Sequence, residues 1–558
     1  MVRSILGALV LQVSLSLGGS WTQQKTKIQE HLMKKLLVAT SILFATTALV
    51  APAMAADSTA DLTRQMQALQ EQLRQMQEKL KANEKATKDA ITEETKAREA
   101  SEKIMREYAI ETGANVVFSE GQRKLAVGSN PKIVQSGTNR FTLSSADNAW
   151  TIAPTGRIHF DFGGYINQKP EGVTGPGTVA GGRLTGGVNA RRARVGVSGR
   201  AMTDFTYSLI LDAGGATDGA AVINTASIGY TGIRNTIIEA GYMANQFVLE
   251  EASSSNDIVF VERSSPSTLA SSFTGGDPRF AVGFRTWEAN YFIAAYFTGS
   301  TPNTAHAQTR RSLGAYQRAT YNIVNEPLQT IHVGVSAAQI FDIPNTGVGT
   351  ANSITLSERL ENRVDPTNLL NTGALGTLAN PLTGANVYGF ETAATFGSFF
   401  YQGEIFRMEF NRRGKTKAQF DTGYAQVSYT FGGRRGYSAN CGCYGGVNPV
   451  APFSPLKGDM GAFEIAARVS IADLTDQYYP TLIGAVGAAG PNFNAVNGGK
   501  QTNYTLGLNW YWNSNMLWKF NYIHTDFERL NPRTATLINP IPLGLKIDAL
   551  VGRFQVMF

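Results

Sequence analysis

From about Arg157 to the terminal Phe558 the chain keeps returning to one pattern, in which apolar and polar side chains alternate along segments of about ten residues. A strand sends successive side chains to opposite faces, so each such segment has one apolar and one polar face. In Tyr504-Thr505-Leu506-Gly507-Leu508-Asn509-Trp510-Tyr511-Trp512 one face is Tyr, Leu, Leu, Trp, Trp, and the other is Thr, Gly, Asn, Tyr. Ile158, Phe160 and Phe162 alternate with Arg157, His159 and Asp161; Leu550, Phe554, Val556 and Phe558 lie opposite Val551, Arg553, Gln555 and Met557. About sixteen such segments run from 157–166 to 547–558. A soluble sandwich also alternates, but its apolar faces must meet a second sheet, whereas aromatic-ended strands suit a lipid-facing band with interfacial girdles. No apolar run of about twenty residues follows the N-terminus, which excludes a multi-span helical membrane protein. The pattern therefore predicts an all-β membrane protein, a 16-stranded antiparallel transmembrane β-barrel, with short Gly/Asn turns at one end and longer loops at the other.

The N-terminus sets the compartment. Met33-Lys34-Lys35, the apolar run Leu36 to Val50 and Ala53-Met54-Ala55 read as a signal peptide over 33–55, with 1–32 an extension upstream of the true initiator Met33. Leu62, Met66, Leu69, Leu73, Met76 and Leu80 form an a/d seam, so 56–112 is expected to be a short periplasmic coiled coil, 113–156 a linker and 157–558 the barrel. The formal charge of +7 includes five basic and one acidic residue of the first 55, so the mature chain is only mildly basic. Such a balance lacks the dense basic face that nucleic acid requires.

Several segments, in order, resemble the phosphate-selective porin O and P family of Gram-negative outer membranes. They are Arg191-Arg192-Ala193-Arg194-Val195-Gly196-Val197, Ser253 to Arg263, Asn368 to Gly373, Gln402-Gly403-Glu404, Gly461 to Arg468 and Asn503 to Tyr511. The resemblance implies a homotrimer of 16-stranded barrels in the outer-membrane lipid, with a periplasmic coiled coil. It also implies a pore narrowed by the third outer loop, which would be Ala244 to Pro278, and small anions such as inorganic phosphate or polyphosphate as solutes. Two stretches depart from the family. Gly241-Tyr242-Met243-Ala244-Asn245-Gln246-Phe247 lacks the family's Lys, and Phe431-Gly432-Gly433-Arg434-Arg435 stands where the family has Thr-Gly-Glu-x-Arg.

Guanidinium groups facing a pore can replace water around an oxyanion, because Arg is always charged and offers a planar donor fork. Strand parity assigns Arg157, Arg192, Arg194, Arg200, Arg285, Arg318, Arg468 and Arg553 to the lumen, and Arg263 to the loop. The structural alternative pairs these cations with Asp161, Asp212, Glu239, Glu391, Glu404 and Glu464 across the wall of a polar interior. Arg191, Arg192 and Arg194 crowd three cations into four residues, which demands a visiting anion or a loop carboxylate. Cys441-Gly442-Cys443 lies in a Gly-rich connection and is open to a local disulfide or a soft metal, but two thiols are an incomplete ligand set. His159, His306, His332 and His524 show no metal-ligand spacing, and no catalytic constellation or cofactor cradle stands out. A general porin admitting many small solutes is the competing reading within transport, favoured by the acidic loop Met243 to Asp277. A barrel used as an adhesin or tether, its coil contacting peptidoglycan, is the competitor from another class.

Overall fold

The computed structural model describes residues 140–169, 184–214, 222–244, 246–273, 278–301, 312–345, 349–479, 490–530 and 542–558, with a few short pieces elsewhere. The chain divides into two compact units, Met1–Gly113 and Ala114–Phe558. The signal peptide lies outside the described residues. Of the coiled-coil segment, only scattered positions are described, among them Gln67, Glu71, Arg74 and Glu78, which are helical; the seam residues are not among them.

In the second unit, sixteen antiparallel strands close into a barrel. They are β1 Thr151–Lys169, β2 Gly187–Ala201, β3 Phe205–Asp212, β4 Val222–Tyr230, β5 Thr236–Met243, β6 Arg279–Trp287, β7 Tyr291–Thr298 and β8 Leu313–Glu326. The remainder are β9 Gln329–Asp342, β10 Leu382–Phe396, β11 Phe399–Arg412, β12 Ala418–Phe431, β13 Ala462–Asp476, β14 Val496–Tyr511, β15 Met516–Leu530 and β16 Pro542–Met557. Each strand pairs with its sequence neighbours, and β16 returns to β1 with Val556 opposite Ile158 and Leu550 opposite Gly164. Phe558 completes the seam by exchanging two backbone hydrogen bonds with Gly156, of 2.8 and 3.0 Å. A Cβ on Gly156 would lie 2.3 Å from the Phe558 ring, which would have to swing aside.

The alternation read from the sequence is the alternation of the wall. Ile158, Phe160, Phe162, Ile465, Val469, Ile471, Tyr504, Leu506, Leu508 and Leu550 all face outward and exposed, while His159, Asp161, Arg468, Asn509 and Arg553 point inward. At one end an outward cluster of rings (Phe463 stacked on Trp510, Trp518 on Phe520, with Trp512 and Phe554 alongside) supplies the aromatic girdle expected at a lipid–water boundary. Wall height is uneven. Strands β3 to β7 have eight or nine residues each, whereas β8 to β16 have fourteen to sixteen.

Connections 202–204, 231–235, 288–290, 327–328, 397–398 and 512–515 are short and lie at the end where the chain terminates. One connection at that same end breaks the length rule: 432–461, between β12 and β13, is long. It folds as a separate hairpin, Gly433–Ser438 against Cys443–Pro449, and enters the barrel instead of projecting from it.

Candidate functional site

Three segments fill the barrel from within, and each is fastened by charged side chains of the wall. The first is 244–278, between β5 and β6, which carries two short helices, α1 Leu249–Ala252 and α2 Ser265–Phe273. The unpaired N–H groups of Leu249 and Glu250 at the start of α1 donate to the Glu404 carboxylate of β11, at 2.7 and 3.1 Å. The loop then runs along β14 to β16. Asn509 donates to Val259 O at 2.8 Å, Asn521 accepts from Val261 N at 2.7 Å, Gln555 donates to Asn256 O at 3.0 Å, and Lys519 donates to Ile258 O. Wall side chains thus supply the partners that a buried loop backbone needs. The second segment is 343–381, between β9 and β10. Its Glu361 accepts from Ser265 N at the start of α2 and from Arg468 of β13, whose guanidinium also reaches Glu250 at 3.4 Å. One buried arginine therefore ties both loops to the wall.

Where these loops meet, the interior is not polar. Leu269 and Phe273 of α2 pack with Leu360, Leu369, Phe406, Phe410 and Phe420 in an apolar core inside the barrel. This corrects the expectation of a polar interior: inserted loops bring apolar surface that can be buried only against apolar inward residues, which β11 and β12 provide.

The third segment is the hairpin from the short-turn end. Arg435 at its base donates to both oxygens of Glu464 at 2.7 and 2.8 Å and to Tyr511 Oη at 3.0 Å. Tyr444 packs on Phe400 with ring centroids 5.0 Å apart and bonds Thr330. At the tip, Cys441 and Cys443 form a disulfide, which decides the alternatives left open by the sequence. The carbonyls of Cys441 and Gly442 accept from Arg318 of β8 at 2.8 and 2.6 Å. The hairpin thus crosses the mouth from β12–β13 to β8.

The nine arginines named from sequence fall into three groups. Arg157, Arg192, Arg263, Arg318, Arg468 and Arg553 hold inserted segments. Arg157 donates to Ser255 Oγ at 2.7 Å, and Arg553 binds Asp161 at 2.6 and 2.7 Å together with Glu262 at 2.6 Å. Arg192 reaches Glu262 at 3.4 Å, and Arg263 staples its own loop through the carbonyls of Glu250 and Ser253, each at 3.0 Å. Arg194 and Arg285 pair with wall carboxylates, Asp212 at 2.7 Å and Glu239 at 3.4 Å. Arg200 is exposed near the short-turn end of β2. Five of the six wall carboxylates named in advance have arginine partners: Asp161, Asp212, Glu239, Glu391 and Glu464. Glu404 instead caps α1.

Parity missed Arg191. A register shift between His159 and Phe160 places one extra residue in β2, since His159 faces Arg192 and Phe160 faces Ala190. The bulge lets Arg191 reach Glu262 at 2.9 Å alongside Arg192. The cation cluster is therefore answered by a loop carboxylate. Burial alone would push the Glu262 carboxyl up, but the guanidiniums of Arg191, Arg192 and Arg553 hold it well below the usual carboxylate range. Lys519 and Arg435 were also missed; nothing in local spacing marks a residue whose partner is a loop backbone more than a hundred residues away.

Among the described residues, the inner face of β2 to β6 stays open, where Arg194, Ser198, Thr206, Ser208, Thr225, Ser227, Glu239 and Arg285 are part-exposed. A solute path along it is polar and passes hydroxyls, paired charges and, at the rim, Arg200.

Residues 154–558 match the family model described as phosphate-selective porin O and P. No curated protein matches the chain in sequence. Among solved structures, the trimer form of OmpT, an outer membrane protein of Vibrio cholerae, is 10% identical with a TM-score of 0.41 over 74% of this chain and 100% of that one. An anion-selective porin from Comamonas acidovorans is 11% identical with a TM-score of 0.41, over 73% of this chain and 100% of that chain. The outer membrane channel DcaP of Acinetobacter baumannii is 10% identical with a TM-score of 0.41, over 74% and 98%.

Proposed function

Because the chain belongs to the phosphate-selective porin O and P family and is an outer-membrane channel, we propose that it passes small anions, with inorganic phosphate or a related oxyanion as its solute. The charge balance along the wetted wall carries this reading. Among the described residues Arg194, Arg200 and Arg285 face the path from β2 to β6, with the carboxylates of Asp212 and Glu239 beside Arg194 and Arg285. An excess of fixed cations in a narrow passage raises the local concentration of anions. Arg194 and Arg285 are each shared with a carboxylate, which would leave an anion loosely held and able to leave as readily as it arrives. The direct pairing of Arg194 and Arg285 with carboxylates favours the second reading, a general porin with a slight anion bias.

Single-channel current in a planar bilayer under a KCl gradient, with phosphate then titrated in, separates the two. A reversal potential on the chloride side with block by phosphate supports the specific reading; a near-neutral potential without block leaves the general porin.

We further propose a homotrimer with its short turns and the coil in the periplasm. A strand of eight residues, tilted as barrel strands are, spans roughly 20 Å, less than the apolar band of about 25 Å. The low wall β3 to β7 nonetheless exposes Leu209, Leu211, Ile228, Ile238, Phe280 and Val282. Neighbouring copies of the barrel would cover that face.

A further inference from the structure

The barrel's short-turn mouth is crossed by a hairpin whose tip holds both cysteines of the chain. Base and tip are fastened differently. At the base, Arg435 is buried against the Glu464 carboxylate and donates as well to Asp257 O of the 244–278 loop and to Gly445 O of the hairpin itself. At the tip, one guanidinium, Arg318, receives two consecutive carbonyls, Cys441 O and Gly442 O. Two adjacent carbonyls point to one donor group only if the chain turns sharply between them, and Gly442 does so with φ of 53°. A Cβ at that position would lie 2.8 Å from Thr320 Oγ1 and 3.0 Å from Phe292 Cβ, so the tip also has no room to shift toward the wall. The ring closed by Cys441 and Cys443 contains this turn. Cys443 is 5% exposed, whereas Cys441 is half-buried at the edge of the cluster that holds Cys443 and Tyr444, so Cys441 is the less enclosed of the pair.

We propose that the Cys441–Cys443 bridge is a redox lock on the hairpin: oxidised, it holds the tip on Arg318 and the mouth narrow; reduced by a dithiol, it releases the tip and the mouth widens. This rests on the channel reading above. The chemistry balances within the pair of reactants. A thiolate of the dithiol attacks Cys441 Sγ, the S–S bond breaks, and Cys443 Sγ leaves and takes a proton. The second thiol of the reductant then closes on the mixed disulfide, freeing Cys441 as a thiol, so the dithiol is oxidised to its own disulfide as the bridge gains two electrons and two protons. In an oxidising compartment the bridged state is the resting one. Once the ring is open, the 438–443 turn regains its backbone freedom and Arg318 keeps its carboxylate partner Glu391 at 2.8 Å without needing the tip.

The test uses the full chain in a planar bilayer, with dithiothreitol added to the side that the short turns face, and alkylation followed by mass spectrometry to count thiols. The expected result is a conductance about two-fold higher once two thiols are labelled, returning when the bridge is re-oxidised. The double variant Cys441→Ser, Cys443→Ser is expected at the raised level and insensitive to the reductant. Unchanged conductance with two labelled thiols overturns the lock. So does a bridge that stays unlabelled in the folded barrel, or a double variant that conducts at the native level. A protein that conducts in neither state overturns the channel reading itself, and the thiol count is read independently of that outcome.

Discussion

At the scale of single residues, Glu262 is the junction of the pore. Three guanidiniums converge on it, and Arg553 shares itself between Glu262 and the buried Asp161. Removing one partner of a buried charge group leaves the others unpaired, at a cost of about 3–5 kcal/mol. Glu262→Gln is therefore expected to lower the heat stability of the barrel and to shift the reversal potential toward chloride, both measurable on one purified variant. The pH dependence has a definite sign. A carboxyl whose folded value is depressed contributes stability that is complete above its unfolded value and is lost as pH falls through the folded one. Since Glu262 is held well below the usual range, its contribution to the protease resistance of the 244–278 loop should survive acidification through the ordinary carboxylate range and be lost only in stronger acid. Residue identity was legible in part: the carboxylates facing Arg194, Arg285, Arg318 and Arg553 could be named from strand parity, because parity fixes the face. Arg191 could not, because a bulge adds a residue without leaving a mark in the hydrophobic alternation.

Among elements, the strands were readable and the connections were not. Each strand must place one face in lipid and one inside, so its sequence carries its own period. Many strands extend a few residues past the readable period at the long-loop end, as β14 does from Val496, where the wall packs on inserted loops and outward apolar residues are no longer required. A connection carries no such constraint. The length of 432–461 suggests an outer loop, yet chain order puts it at the short-turn end, and its inward course is fixed by Arg318, Glu464 and Tyr511, which are distant in sequence. Replacing 434–448 by an Asn-Gly turn is expected to leave β12 and β13 paired and to raise single-channel conductance above that of the reduced native protein. Conductance equal to that of the oxidised native protein would place the narrowing elsewhere along the path.

For the whole molecule, the unequal wall is the informative feature. A trimer built on β3 to β7 predicts a detergent-resistant band near three times the monomer that collapses on boiling. Leu209→Arg with Ile228→Arg, placing charges on the exposed outer face of β3 and β4, should convert that band to monomer while the barrel stays folded. Monomer migration of the unheated native protein would remove the trimer. The aromatic girdle and the closed strand order were implied by composition and period; the height difference was foreshadowed only in the shorter alternating runs before residue 300. The closure itself has a consequence in time. The seam joins Thr151–Lys169 to Pro542–Met557 and ends on the last residue, so the most distant pairing in the unit is also the one that removes both free edges. Until β16 has been made and paired with β1, the sheet is an open ribbon able to pair with other chains, and a change that weakens this seam would be felt first as misassembly during biogenesis rather than as altered conductance.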